Sequence, residues 1–165
     1  METRKRLAFL PAFFIYYLYR MTFKEEISQL KAYRTTRENL AKQVLEQPSL
    51  YPELFNLAMD TSWPDHFKAC WVLDLVLEER MSLLDQDKTR FCRTLPNFTQ
   101  EGALRSISRI VWNAVKNQKS TKGLQFSYLQ KEELATVCFD WLVSEVKVAS
   151  KANAIYTLYE LGLEL

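Results

Sequence analysis

Apolar residues along this chain recur mainly at spacings of three and four, and residues that start or stop helices interrupt them at short intervals. This period is typical of helices with one buried face, and no stretch shows the sustained alternation of a half-buried strand. The chain also has only three glycines and five prolines among 165 residues, too few for the many tight turns of an all-β protein. The pattern therefore predicts an all-α fold.

Start and stop signals divide residues 21–165 into four successive helix pairs. Thr22 with Glu25, and Thr35 with Glu38, have the spacing of capping boxes and predict the first two helix starts. Pro48 predicts the end of the second helix. The predicted helices run over about Phe23–Tyr33, Thr35–Pro48, Pro52–Met59, Ser62–Arg80, Asp85–Leu95, Gln100–Asn117, Gln130–Val143 and Val146–Leu161.

A weak internal repeat links the second helices of three pairs. The aligned dipeptides are Lys68-Ala69, Arg105-Ser106 and Lys151-Ala152, and Leu73, Ile110 and Tyr156 follow them at the same offset. The spacings of 37 and 46 residues bracket the period of two-helix HEAT-type repeats. We therefore expect antiparallel helix pairs stacked as a short HEAT/ARM-like α-solenoid. A compact irregular helical bundle is the alternative.

Three runs of residues carry a family resemblance across most of residues 21–165. The runs are Lys68-Ala69-Cys70-Trp71-Val72-Leu73-Asp74, Cys138-Phe139-Asp140-Trp141-Leu142, and Lys147-Val148-Ala149-Ser150-Lys151-Ala152 continuing to Tyr156-Thr157-Leu158-Tyr159. In these runs the chain resembles a family of small HEAT-like proteins of unknown function found mainly in Bacteroidetes. Some similar proteins carry an adenylosuccinate lyase label, but that enzyme class uses a Ser-Ser-x-Met-Pro loop that this sequence lacks.

The two ends of the sequence differ from its middle. Residues 1–20 combine the basic start Arg4-Lys5-Arg6 with a thirteen-residue apolar run, Leu7–Tyr19, which is too short to span a bilayer. We expect this segment to be an upstream extension and Met21 to be the start of a single domain, 21–165; an interfacial anchor and a cleaved signal are the alternatives. Similar proteins continue beyond the position of Leu165, so we expect a shortened last pair with an exposed apolar flank.

The charge of the chain is unevenly distributed. Residues 1–20 have a net charge of +3, from Arg4, Lys5, Arg6 and Arg20 against Glu2. Because the whole chain has a net charge of +2, residues 21–165 have a net charge of −1. A domain that mainly binds a phosphate backbone usually carries a clear basic excess. The near-neutral body therefore makes nucleic-acid binding an alternative rather than the favoured function.

No metal or cofactor site is predicted. Cys70, Cys92 and Cys138 are far apart, without the C-x-x-C spacing of a metal or redox site, and lie in apolar helical runs. They are expected to be reduced, buried residues of a cytoplasmic protein. His66 is the only histidine and stands at a predicted helix start, where we expect a solvated or capping side chain.

A basic face on the second helices is the candidate binding surface. Its members are Lys68, Arg105, Arg109, Lys116, Lys147 and Lys151. With Trp71 and Trp112 this face resembles that of the HEAT-like DNA alkylation-repair glycosylases, whose concave basic groove holds DNA. The alternative, which we favour, is that the arginines pair with carboxylates between repeats and the tryptophans lie in the core.

Two aspartates in apolar surroundings are predicted to be structural. Asp74 lies within the most apolar helix, where an unpaired carboxylate would be costly, and Arg105 or Arg109 is its expected partner. Asp140, beside Trp141, is expected to pair in the same way with Lys147 or Lys151.

These expectations favour a non-enzymatic HEAT-like scaffold that binds a protein or peptide on its concave face. Nucleic-acid binding is the second hypothesis, and lyase activity is ranked last. No segment is predicted to span a membrane.

Overall fold

The computed structural model describes residues 21–120 and 123–163. The predicted extension, residues 1–20, and the last two residues of the chain lie outside them. The described residues form eight α-helices: α1 (Phe23–Ser28), α2 (Arg34–Glu46), α3 (Tyr51–Met59), α4 (His66–Glu79), α5 (Lys88–Thr94), α6 (Glu101–Asn117), α7 (Tyr128–Val143) and α8 (Val148–Gly162). Short 3-10 helices span Pro48–Leu50, Met81–Gln86 and Leu95–Asn97. The all-α prediction is confirmed.

Three of the eight helices in the described residues begin with a side-chain cap, at Thr22, Gln100 and Ser127. The Thr22 capping box is confirmed, because the Glu25 amide donates to the Thr22 hydroxyl and the Thr22 amide donates to the Glu25 carboxylate. The Thr35 capping box is wrong: α2 begins at Arg34, with Tyr33 as an N-cap that makes no side-chain bond. An unpredicted capping box at Ser127 starts α7.

Four of the helices pack in a row. Helix α2 packs against α4, α4 against α6, and α6 against α8. Helix α3 packs on α4, and helix α7 packs on α8. The short helices α1 and α5, of six and seven residues, pack mainly against α4 and α7 rather than against the helix that follows each in sequence.

Helix α4 lies at the centre of the core. It contacts α2, α3 and α6, and Leu73, Val76 and Leu77 are fully buried, as expected for a helix that is apolar nearly all round. The internal repeat holds for Leu73 and Ile110, which are buried, but Tyr156 at the third position is 52% exposed. The repeat is therefore irregular in its last member.

The cysteines are free and buried, as predicted. Burial raises the pKa of Cys92 and that of Cys138 to about 12, and also raises that of Cys70. These thiols are therefore protonated at neutral pH and poor nucleophiles.

The last helix pair exposes apolar side chains, including Phe139, Val143, Ile155 and Tyr159. Within residues 21–120 and 123–163, no helix combines the length and the apolar character that crossing a bilayer requires.

Candidate binding groove

The four helices of the row, α2, α4, α6 and α8, border an open groove of about 750 Å³. The groove has both polar and apolar walls, with Trp71 and Leu75 of α4 among the apolar side chains. Its charged lining residues are Arg34, Arg37, Asp74, Glu78, Glu101, Arg105, Arg109 and Lys147. Positive charges thus outnumber negative ones on a surface that belongs to a nearly neutral body.

In the centre of the groove, α4 and α6 are joined by an ion pair. The Asp74 side chain is only 4% exposed, and Arg109 donates to it from Nη2 at 2.6 Å and from Nε at 2.9 Å to each carboxylate oxygen. Burial raises the pKa of Asp74 to about 6, although the hydrogen bonds from Arg109 act in the opposite direction. At neutral pH the carboxylate is therefore ionised and paired, and Arg109 is one of the two partners expected from the sequence.

Three cations stand close to the helix starts at one end of the groove, and we call Arg37, Arg105 and Lys147 the cationic end. Arg105 and Lys147 are exposed, and neither side chain forms an ion pair with any residue the structure describes. The Arg37 guanidinium lies over the indole ring of Trp71, 5.2 Å from its centroid. Here the cations have no carboxylate partner.

The Trp71 side chain is held from two sides at this end. Its Nε1 donates to the Gly102 carbonyl at 3.1 Å, and Phe67 meets its ring edge to face with the ring centroids 5.0 Å apart. Trp71 therefore forms a fixed support for the Arg37 guanidinium.

Helix starts place all three residues of the cationic end. Arg37 lies in the first turn of α2, Arg105 follows the first turn of α6, and Lys147 is the N-cap of α8. The N-cap residues of α2 and α8 make no side-chain capping bond. Unsatisfied amide groups at helix N-termini add positive potential to that of the side chains.

The remaining residues of the predicted basic face do not line the groove. Lys68 forms an ion pair with Asp65 at 3.0 Å and donates to the Ser28 carbonyl, so it ties α4 to the end of α1. Lys116 lies over the Trp112 ring, 5.6 Å from its centroid, and Lys151 is half-buried. Of the six predicted residues, the structure brings Arg105, Arg109 and Lys147 together.

The expected pairing of Asp140 is wrong. This aspartate is exposed on α7, and among the described residues it forms no ion pair with Lys147 or Lys151. It borders a second cavity of about 390 Å³ instead, together with Cys92 and Glu133. An exposed carboxylate is solvated by water and does not require a cation.

His66 also differs from expectation, because its side chain is buried rather than solvated or capping. Its Nδ1 lies 2.8 Å from the Trp63 carbonyl, and its ring packs near Phe98 with the centroids 6.0 Å apart. Across the described ranges, no group of three or more His, Cys, Asp or Glu side chains is arranged to hold a metal ion.

Sequence reasoning missed four charged groove residues: Arg34, Arg37, Glu78 and Glu101. All but Glu78 stand in the first turn of a second helix, and Arg105 and Lys147 stand near the starts of theirs. The shared signal is therefore position relative to a helix start, rather than membership of one helical face.

Comparison with known proteins finds no matching protein-family model, no matching curated protein and no matching solved structure. The resemblance to small HEAT-like proteins therefore stays a prediction.

Proposed function

We propose that this chain is a non-enzymatic, HEAT-like binding module that receives a peptide segment of another protein in the groove between α2, α4, α6 and α8. The observation that carries this proposal is the presence of exposed, unpaired cations, Arg105 and Lys147, beside the half-buried Trp71 on an open groove. Exposed aromatic and arginine side chains in a concavity are the usual anchors of protein recognition.

The packing of the helices supports this function. The row α2, α4, α6 and α8 corresponds to the second helices of the expected pairs, and in a HEAT-like stack these helices line one extended surface. Such surfaces commonly bind extended segments. The protonated, buried thiols are unsuited to nucleophilic catalysis, because a reactive cysteine needs an accessible thiolate. In this proposal the module acts in the cytoplasm.

Nucleic-acid binding is the second candidate, and one observation favours it. Trp112 stacks on Tyr156 with the ring centroids 5.2 Å apart, and Lys116 lies over the same indole. Aromatic rings beside a cation can bind unpaired bases. Two carboxylates in the groove, Glu78 and Glu101, oppose a phosphate backbone and make this function second. Lyase activity ranks third, because the sequence lacks the Ser-Ser-x-Met-Pro loop of that enzyme class.

A selection from a random-peptide display library on the immobilised chain tests the proposed function. Ala149 lines the groove on α8, so Ala149→Trp should fill it and abolish binding of the selected peptides. Val148→Trp is the matched control, because Val148 is 82% exposed on the same helix and does not line the groove. Peptides that bind wild type and both variants equally would contradict the proposal.

A fluorescence assay with labelled single-stranded DNA across a salt series tests the second candidate. DNA binding at low salt that Tyr156→Ala removes and the control Tyr159→Ala, an exposed tyrosine of the same helix, does not would replace the peptide hypothesis with nucleic-acid binding. No binding at low salt removes that candidate, because phosphate contacts are strongest there.

A further inference from the structure

We propose that the peptide bound in the groove is acidic, and that its carboxylates bind Arg37, Arg105 and Lys147 at the cationic end. This inference rests on the proposed function and assigns the chemical class of its ligand. It also places the acidic residues of the ligand at the helix starts rather than in the centre of the groove.

Unsatisfied positive charge is the first reason. Arg105 and Lys147 come from different parts of the chain, line the same groove and pair with no carboxylate in the described residues. An arginine offers two parallel N–H donors to one carboxylate, and a lysine offers a compact point charge. Together they match two neighbouring acidic side chains.

Preorganisation of Arg37 is the second reason. The Trp71 ring supports its guanidinium, and Trp71 is itself fixed by its hydrogen bond to Gly102. The Arg37 Nε is buried without a hydrogen-bond partner among the described residues. A guanidinium that is already held in place loses little side-chain entropy when it binds a carboxylate.

The helix starts give the third reason. The first turns of α2 and α8 lie at this end without side-chain caps, so their amide groups favour an anion. At the starts of α2 and α8 the cationic side chains and the helix dipoles therefore have the same sign, whereas Glu101 in the first turn of α6 adds one negative charge to this end of the groove. In the centre of the groove, by contrast, the charge of Arg109 is neutralised by Asp74.

The acidic lining residues favour a peptide over a nucleic acid. Glu78 lies 3.9 Å from Arg109 and two turns along α4 from Trp71, roughly 10 Å on the rise of an α-helix. A peptide can place acidic residues beside Arg105 and Lys147 and neutral or basic residues beside Glu101 and Glu78. A phosphodiester backbone carries a negative charge at each step and would be repelled there.

The composition of the selected peptides tests the inference. We expect the selected peptides that bind wild type but not Ala149→Trp to carry a net negative charge. Their dissociation constants, measured by fluorescence polarisation, should rise at least tenfold in the double variant Arg105→Gln/Lys147→Gln, which corresponds to about 1.4 kcal/mol. The control double variant Arg80→Gln/Arg93→Gln removes the same charge from exposed residues outside the groove and should bind as wild type does.

The possible outcomes distinguish a failure of the acidic-peptide assignment from a failure of peptide binding itself. The acidic assignment would be overturned if the selected peptides are neutral or basic, fail to bind Ala149→Trp and still bind Arg105→Gln/Lys147→Gln. Peptide binding in the groove would remain supported in that case. Selection of no peptide that Ala149→Trp excludes would overturn both. Tighter binding of duplex DNA than of any selected peptide, lost in Arg105→Gln/Lys147→Gln, would assign the same cations to a nucleic acid. Circular dichroism of each variant should match that of wild type.

Discussion

Arg109 and Arg105 stand one helical turn apart on α6 and line the same groove, yet they are in opposite electrostatic situations. Arg109 is bound through three short contacts to the buried Asp74 of the neighbouring helix, whereas Arg105 is exposed and has no carboxylate partner in the described part of the chain. Two arginines that the sequence cannot tell apart thus have different consequences for the molecule.

The difference follows from the burial of the carboxylates rather than from the arginines. Asp74 is buried and needs a cation to offset its lost hydration, so the fold holds Arg109 in place. Arg105 and Lys147 form no ion pair with a carboxylate of the described residues, so their charge remains available to a ligand. We therefore expect substitutions in the centre of the groove to change stability, and substitutions at the cationic end to change binding.

The largest effect is expected from Arg109→Gln. This substitution leaves Asp74 buried without a cation, and we expect the free energy of unfolding to fall by about 3 kcal/mol at pH 7.5. Arg105→Gln is the matched change one turn away, and it should alter stability by less than about 0.5 kcal/mol. Urea denaturation of both variants measures the contrast. Equal losses of unfolding free energy in the two variants would contradict the expectation that only the centre of the groove contributes to stability.

The pH dependence of stability should show the buried carboxylate directly. Because burial raises the pKa of Asp74 to about 6 in the folded state, the folded protein takes up a proton at higher pH than the unfolded chain does. This group therefore stabilises the fold progressively as pH falls from 7 towards 4, and its contribution is lost as pH rises through 6. Wild type should gain about 1 kcal/mol relative to Asp74→Asn between pH 7 and pH 5.

Denaturation midpoints of wild type and Asp74→Asn at both pH values provide this measurement. Taking the difference between the two proteins removes the contribution of Glu25 and Asp60, whose lowered pKa values act in the opposite direction. A relative loss of wild-type stability on acidification would contradict the account. Arg109 and Glu78 remain present in both proteins, so their charges cancel in the comparison.

A smaller effect is expected from Trp71→Phe. The substitution removes the hydrogen bond to the Gly102 carbonyl and weakens the support of Arg37, so we expect a stability loss of about 1 kcal/mol. Acidic-peptide binding should weaken about threefold, or roughly 0.7 kcal/mol. Trp112→Phe is the control, because Trp112 does not line the groove and its replacement should leave peptide affinity unchanged.

Local chemistry made much of the fold predictable from the sequence. The all-round apolar character of α4 predicted a helix buried between neighbours, and the Thr22 capping box was also predicted. The Thr35 capping box failed because the N-cap of α2 is Tyr33, two residues earlier, which places Thr35 inside the first turn. The Ser127 box had the same sequence signature, a serine followed three residues later by glutamine, and was missed.

The groove was only partly predictable, because it depends on contacts between segments far apart in sequence. Asp74 could be recognised by its apolar helix, and so could the need for a partner such as Arg109. Asp140 has similar apolar neighbours in sequence but lies on an exposed side of its helix. The packing of the four helices in a row determines which residues near the helix starts share one groove. Periodicity within a single helix carries no information about that packing.

Chemical-shift mapping of a selected peptide on the isotope-labelled chain is the most direct test of the central claim, that the groove and its cationic end bind the ligand. We expect the largest backbone and side-chain shifts at Arg37, Trp71, Arg105 and Lys147, with little change at Phe139 and Val143 on the exposed apolar part of α7. The largest shifts at Phe139 and Val143, with Arg105 and Lys147 unmoved, would contradict the account.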